Sequence, residues 1–183
     1  ERQLTTYGGN IRAVRVNGRF DDCQAMVKQA FLDKEITDQV FLTSANSINV
    51  ARWLPQQFFY FSALKQWPIG DVAPVMAVPS GNFGNICAGL LAMVSGLPVR
   101  HFVAACNAND VIPQYMQTQE LQVKHAVATL SNAMDVGNPS NFARMLDLYL
   151  GSDESSTWNN LKKQISGYAF DDAKTAERYL RLI

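Results

Sequence analysis

Six consecutive residues, Ser80-Gly81-Asn82-Phe83-Gly84-Asn85, combine two glycines with three short polar side chains between an apolar run and an apolar helical pattern. Residues 74–78 (PVMAV) read as a buried strand, and residues 86–94 (ICAGLLAMV) as a helix ending near Gly96. Strand, glycine turn and helix together make an anion cradle, because the first N–H groups of a helix have no intrahelical partner and, with the positive end of its dipole, face the anion. Gly81 and Gly84 are expected to take positive φ and let the main chain approach closely, with Ser80 and the two asparagines adding hydrogen bonds. The same turn serves equally as plain loop chemistry when taken alone. A dinucleotide fingerprint needs a third glycine that this turn lacks. A nucleoside-triphosphate loop needs Gly-Lys-Ser/Thr, and no lysine lies between Lys65 and Lys124.

Three further polar groups accompany the turn: Asn46, Ser47 and Asn49; Asn107, Asn109 and Asp110; and a long loop, residues 124–141, carrying Asp135, Asn138, Ser140 and Asn141. Cys23, Cys87 and Cys106 form an odd set without CxxC spacing, and His101 and His125 alone do not complete a zinc site, so no metal is expected. Both histidines read as structural. Cys87, one turn into the cradle helix, reads as a buried inert thiol rather than an activated one. Arg52 and Arg144 read as solvated surface groups in preference to ligands of a phosphate.

These groups need elements to position them. Residues 11–16 (IRAVRV) and 40–43 (VFLT) read as strands, with Asn17-Gly18 as a turn and Asp21 or Asp22 capping a helix, Gln24 completing its capping box. A long helix follows, with Ala51, Leu54, Phe58, Phe61 and Leu64 at three- and four-residue intervals and Pro55 near its start or at a kink. Its cluster Phe58-Phe59-Tyr60-Phe61 reads as core or subunit interface. A strand over 99–104 and a short helix over 111–116 complete four strand-and-helix alternations, which imply an α/β fold with a parallel, Rossmann-like sheet flanked by helices. Ligands of such sheets bind beyond the carboxyl ends of the strands, where the polar groups should gather. Residues 1–150 are expected to form this α/β domain and residues 151–183 a helical segment, with helices over 142–150, from Asp153 and from Asp171 or Asp172; Ser140 or Asn141 should cap the first.

A chain of 183 residues, 48% hydrophobic, is long enough for one α/β core. Its 16 basic and 16 acidic residues cancel without a basic stripe, which argues against nucleic acid and against a polybasic membrane patch. No apolar signal segment or 18-residue apolar run occurs, and the thiols read as reduced, giving a cytoplasmic expectation. Both ends read as cut, suggesting a fragment.

Four ordered motifs go further. LTSANSIN (residues 42–49), VPSGNFGN (78–85), ACNANDVIPQYM (105–116) and TLSNAMDVGNPSNF (129–142) closely resemble threonine synthases, and the likeness extends to TTYGGN and GRFDDCQ near the start. The resemblance implies a fold-type II pyridoxal 5′-phosphate enzyme, tryptophan synthase β-like in architecture, that converts O-phospho-L-homoserine and water into L-threonine and phosphate. Carried over by position, Gly81, Asn82, Phe83 and Gly84 match the loop that holds the cofactor phosphate through main-chain N–H groups, flanked by Ser80 and Asn85. Asn46, Ser47 and Asn49 resemble polar active-site residues serving the cofactor's 3′-oxygen or the substrate, with helix capping an equal alternative. Asp135, Asn138, Ser140 and Asn141 resemble a loop at the active-site mouth.

The departures matter as much. None of Lys28, Lys34, Lys65, Lys124, Lys162, Lys163 or Lys174 stands in the family's Lys-Asp-Phe-like context, so the resemblance puts the Schiff-base lysine upstream of this chain and the partner of the pyridine nitrogen beyond Ile183. The isolated chain is expected to be inactive. The rival readings are a serine or threonine dehydratase, a phospholyase that releases phosphate without making threonine, and a non-catalytic cofactor-binding module; a dinucleotide-binding oxidoreductase is disfavoured by the glycine spacing.

Overall fold

The computed structural model describes residues 8–47, 49–68, 70 and 72–171. The chain divides into two compact units, Glu1–Leu42 and Thr43–Ile183. In the first, α1 (Phe20–Leu32) and α2 (Lys34–Thr37) follow one another. The expected strand over 11–16 is absent: the alternation IRAVRV is open to solvent, Val14 being 84% exposed, and no described strand pairs with it. Alternation permits a strand, but only a neighbouring ladder makes one. Residues 40–43 likewise form no strand. The helix cap also differs, since Arg19 occupies the N-cap position and its N–H donates to Asp22 Oδ2 at 2.7 Å, leaving Gln24 outside the capping box.

The second unit is built on three parallel strands in the order β1 (Val75–Pro79), β2 (His101–Cys106), β3 (Ile165–Ala169). Val75 aligns with His101 and Phe102 with Ile165, so all three carboxyl ends lie at one edge. Before β1 come a 3-10 turn, Val50–Arg52, and α3 (Trp53–Lys65), with Pro55 in the first turn of α3, where its missing N–H costs no intrahelical bond. The crossover from β1 to β2 is α4 (Gly84–Val94), apolar nearly all round and buried at Ile86, Cys87, Ala88, Leu90 and Ala92. A Schellman motif ends it: Gly96, at φ 101°, donates to Met93 and Leu97 donates to Ala92, both at 2.9 Å. Then follow α5 (Val111–Thr118), a 3-10 turn (Asn132–Met134), α6 (Phe142–Leu148) and α7 (Glu154–Gln164), whose N-cap Asp153 accepts from Ser156 N–H as its sequence suggests.

Phe102, Ala104 and Cys106 point one way from β2 into a core with Ile86, Leu90 and Met145. Tyr60 meets Phe102 edge-on at 5.7 Å. A Cβ at Gly89 would sit 2.8 Å from both rings, so α4 lies close to β2 and α3 because this helical position is glycine. One expectation fails here, and of the core-or-interface alternative for residues 58–61 the core half does not hold for Phe58 and Phe59. The segment after Asp153 is not helical throughout, because Ile165–Ala169 joins the sheet as β3, drawn in by hydrogen bonds to β2 that no local signal reveals. Phe58 and Phe59 are 69% and 74% exposed and take no part in the core; Tyr60 alone of the cluster packs there. The expected helix from Asp171 or Asp172 falls on residues beyond Asp171, outside the described residues.

Candidate functional site: an anion cradle at the carboxyl end of the sheet

The turn between β1 and α4 has the cradle geometry, by a different route from the one its glycines suggest. Neither Gly81 nor Gly84 has positive φ; the left-handed residue is Phe83, at φ 64° and ψ 6°, which occupies the N-cap position while its ring is 3% exposed. Burial of the phenyl group holds a conformation that costs a non-glycine residue roughly 1–2 kcal/mol. The two glycines are required for close approach. A Cβ at Gly81 would lie 2.8 Å from Met134 Cα, and one at Gly84 would lie 2.7 Å from Ser47 Cβ. The N–H groups of Gly81, Asn82, Phe83 and Gly84 make no hydrogen bond among the described residues. Four main-chain donors at the amino end of an 11-residue helix fit a phosphate monoester, by hydrogen bonding and by helix dipole.

The flanking side chains are largely committed to structure. Ser80 Oγ donates to Val78 O at 2.8 Å. Asn85 Nδ2 donates to Pro79 O at 2.6 Å, while its Oδ1 accepts from Ile86 N–H and its carbonyl from Tyr60 O–H. Asn82 Oδ1 accepts from Ser140 N–H at 2.8 Å and Ser140 Oγ at 3.0 Å, and its Nδ2 donates to Ser47 Oγ at 3.1 Å. Asn141, fully buried, donates from Nδ2 to Ser47 Oγ and to Asn82 O at 3.1 and 2.9 Å. Asn46 Oδ1 accepts from Ser47 Oγ, whereas Asn49 caps the 3-10 turn by accepting from Ala51 N–H.

The structure therefore brings Asn46, Ser47, Asn82, Ser140 and Asn141 together and leaves Asn49 as a cap. Asn138 is exposed and makes no hydrogen bond among the described residues. Asp135 belongs to a second network at the end of β2: its carboxylate accepts from Thr129 N–H and Oγ1 and from the Nδ2 groups of Asn107 and Asn109, the last three at 2.6, 2.8 and 3.2 Å. Residues 129–141 thus strap across the strand ends, fixed at Asp135, packed at Met134 against Gly81, and fixed again at Ser140 and Asn141. A cavity of about 540 Å3 lined by Ala108, Thr129, Leu130, Ala169 and Phe170 opens at this same edge. A groove of about 550 Å3 bounded by Tyr115, Phe142 and Leu146 holds none of the cradle residues.

Arg144 and Asn107, both named in the sequence reading, take roles it did not give them, and Trp53 escapes it altogether. Arg144 is not a solvated surface group; its Nη1 donates to Ser47 O at 2.7 Å and Asn141 Oδ1 at 2.8 Å, and its guanidinium lies 5.9 Å from the Trp53 ring centroid. Buried Trp53 donates from Nε1 to the same Asn141 Oδ1 at 3.3 Å. Asn107, 1% exposed, anchors the second network. The spacing of Asn141 and Arg144, three apart at the start of a helix, is the one local signal for the first. Burial raises the Cys87 thiol pKa far above its ordinary value, in keeping with an inert role, and pushes Cys106 up to about 12, with Asp110 adding to the rise. Among the described residues, no group of three or more His, Cys, Asp or Glu is arranged to hold a metal ion.

A glycine turn of N–H groups without partners among the described residues, at the carboxyl end of a parallel sheet and opening a buried crossover helix, defines an α/β domain with a candidate phosphate site. The chain is 51% identical over 150 residues to threonine synthase of Haemophilus influenzae, covering 81% of this chain and 35% of that protein. It is 45% identical over 182 residues to that of Escherichia coli, covering 99% of this chain and 41% of the relative. The crystal structure of the Escherichia coli threonine synthase superposes with a TM-score of 0.85 over 97% of this chain and 41% of that one. A pyridoxal-phosphate-bound threonine synthase from Brucella melitensis, 31% identical, superposes at 0.76 over 88% and 39%. No family model matches. By sequence and by fold, the chain belongs to the threonine synthase family, and it spans 35% to 41% of the length of these curated relatives.

Proposed function

We propose that this chain supplies the phosphate-anchoring part of a cytoplasmic threonine synthase, which converts O-phospho-L-homoserine and water into L-threonine and phosphate. The observation that carries the reading is the set of four N–H groups over residues 81–84 that have no partner among the described residues, walled by Met134 and Ser47. When bound, pyridoxal phosphate supplies the electron sink for carbanion chemistry at the α-carbon of an amino acid. This chain's own residues bind and orient it: Gly81, Asn82, Phe83 and Gly84 take the phosphate through the main chain, and Ser80 and Asn85 hold the loop on β1 and α4. Asn46 and Ser47 face the same wall and serve the substrate side, with Ser140, Asn141 and Asp135 shaping the mouth.

The lysine is proposed to come from outside the chain. Lys124 Nζ is tied to Gln114 Oε1 at 2.7 Å and to Asp110 at 3.7 Å, and Lys162 lies over Trp158. The isolated chain should therefore show no turnover. No helix among the described residues is long and apolar enough to cross a membrane.

The test uses the longer polypeptide carrying this segment, supplied with pyridoxal phosphate and O-phospho-L-homoserine, with phosphate and threonine quantified together. Equal yields support the reading. Phosphate without threonine transfers it to a phospholyase, and neither product to a dehydratase or a non-catalytic module.

A further inference from the structure

We propose that Arg144 is a positioning residue for the cradle, acting through Asn141 and Ser47; this rests on the reading that the cradle holds a phosphate monoester. The inference starts from the carboxamide of Asn141. Its Oδ1 accepts from both Arg144 Nη1 and Trp53 Nε1, at 2.8 and 3.3 Å. Two donors on one face of the amide exclude the flipped orientation, which would set an NH2 group against them. The Nδ2 group is thereby aimed at Ser47 Oγ and Asn82 O. Arg144 also holds the carbonyl of Ser47 directly, at 2.7 Å.

Ser47 is the wall that a side chain at Gly84 would strike, and Asn82 is a member of the cradle turn. One guanidinium therefore fixes both the wall and the turn. Both bonds leave one nitrogen, Nη1, while the guanidinium carbon stands 5.9 Å from the Trp53 ring centroid, and a planar group that packs on an indole as it donates is poorly replaced by a lysine ammonium. Arg144 need not touch the anion to govern how well the four N–H groups converge on it, because preorganised donors bind more tightly than donors that must be ordered first.

The experiment measures binding of pyridoxamine 5′-phosphate and of phosphate-free pyridoxamine to the full-length apoprotein by calorimetry. Neither forms a Schiff base with lysine, so the ratio of the two affinities reports the phosphate site. Arg144→Met and Asn141→Ala should each lower that ratio about tenfold. Arg144→Lys should restore little of it, and the double variant should be no worse than the poorer single one, since both act on one element. Equal weakening of both ligands by Arg144→Met, full rescue by Arg144→Lys, or additive losses would each overturn the proposal. Should Arg144→Met not fold, Trp53→Phe keeps an aromatic ring at this position and removes one donor, and an unchanged ratio there refutes the amide-locking step. If the wild-type protein shows no preference for the phosphorylated ligand, the cradle reading fails and this proposal with it.

Discussion

Replacing Gly81 by alanine tests whether the cradle glycines serve approach or flexibility. An added Cβ would stand 2.8 Å from Met134 Cα, 3.0 Å from its carbonyl oxygen and 3.1 Å from its carbonyl carbon. Carbon atoms in contact settle at about 3.5–4.0 Å, so the Asn132–Met134 turn must retreat by roughly 1 Å. Overpacking of this kind costs about 1–3 kcal/mol, while alanine returns about 0.4–1 kcal/mol by restricting the unfolded chain. The net expectation is a loss of about 1–2 kcal/mol, or roughly 2–8 °C in Tm for a protein of this size. Urea unfolding followed by circular dichroism reads it directly, with the m-value unchanged. The opposing atoms are main chain, so Met134→Ala should not rescue the variant. Gly84→Ala differs in kind: its obstacle is the Ser47 side chain, at 2.7 Å from Cβ and 3.1 Å from Oγ, and Ser47→Gly should recover part of its loss. A wild-type urea midpoint for Gly81→Ala, or its rescue by truncating Met134, would sink the argument from close approach.

Two further outcomes follow from buried groups. Removing Asn107 with alanine strips Asp135 of one donor and leaves Asn109 N–H, which donates to Asn107 Oδ1 at 2.9 Å, without its acceptor; the loss should be about 2–4 kcal/mol by urea unfolding, and a change under 0.5 kcal/mol contradicts the network's role. Because burial raises the Cys106 thiol to about 12, its contribution is fully present below the ordinary thiol value and is lost as pH rises from about 9 toward 12. That amounts to about 1.4 kcal/mol per pH unit. Urea midpoints at pH 8 and 10.5 should therefore fall further apart in wild type than in Cys106→Ala, and parallel curves would refute the assignment.

The parts legible in the sequence are those whose cause is local. Residues 75–79 and 84–94 form because an apolar run, a glycine turn and a helix-forming stretch follow in order, and Asp153 caps α7 through its own side chain. The cradle's position follows from that same local order. Elements that depend on distant partners were not legible. The alternation in residues 11–16 is indistinguishable from a strand until the missing ladder is seen, whereas Ile165–Ala169 carries a glycine and forms because β2 offers an edge. The tight fit of Gly167 against Pro113, where a Cβ would lie 2.5 Å from the proline Cα, explains that glycine only once α5 and β3 are in place. Arg144 is likewise unreadable, because what separates a solvated arginine from a half-buried strut is the position of Ser47, 97 residues away in the chain.

Asn141 occupies the N-cap position of α6, yet its side chain caps none of that helix's backbone N–H groups. Its carboxamide serves the wall of the cradle instead, so selection at this one codon acts on two quantities that cannot both be maximised. A residue better at starting the helix would be favoured by stability alone and rejected by the ligand. Drift toward a stronger cap should therefore be tolerated only where the ligand is no longer needed.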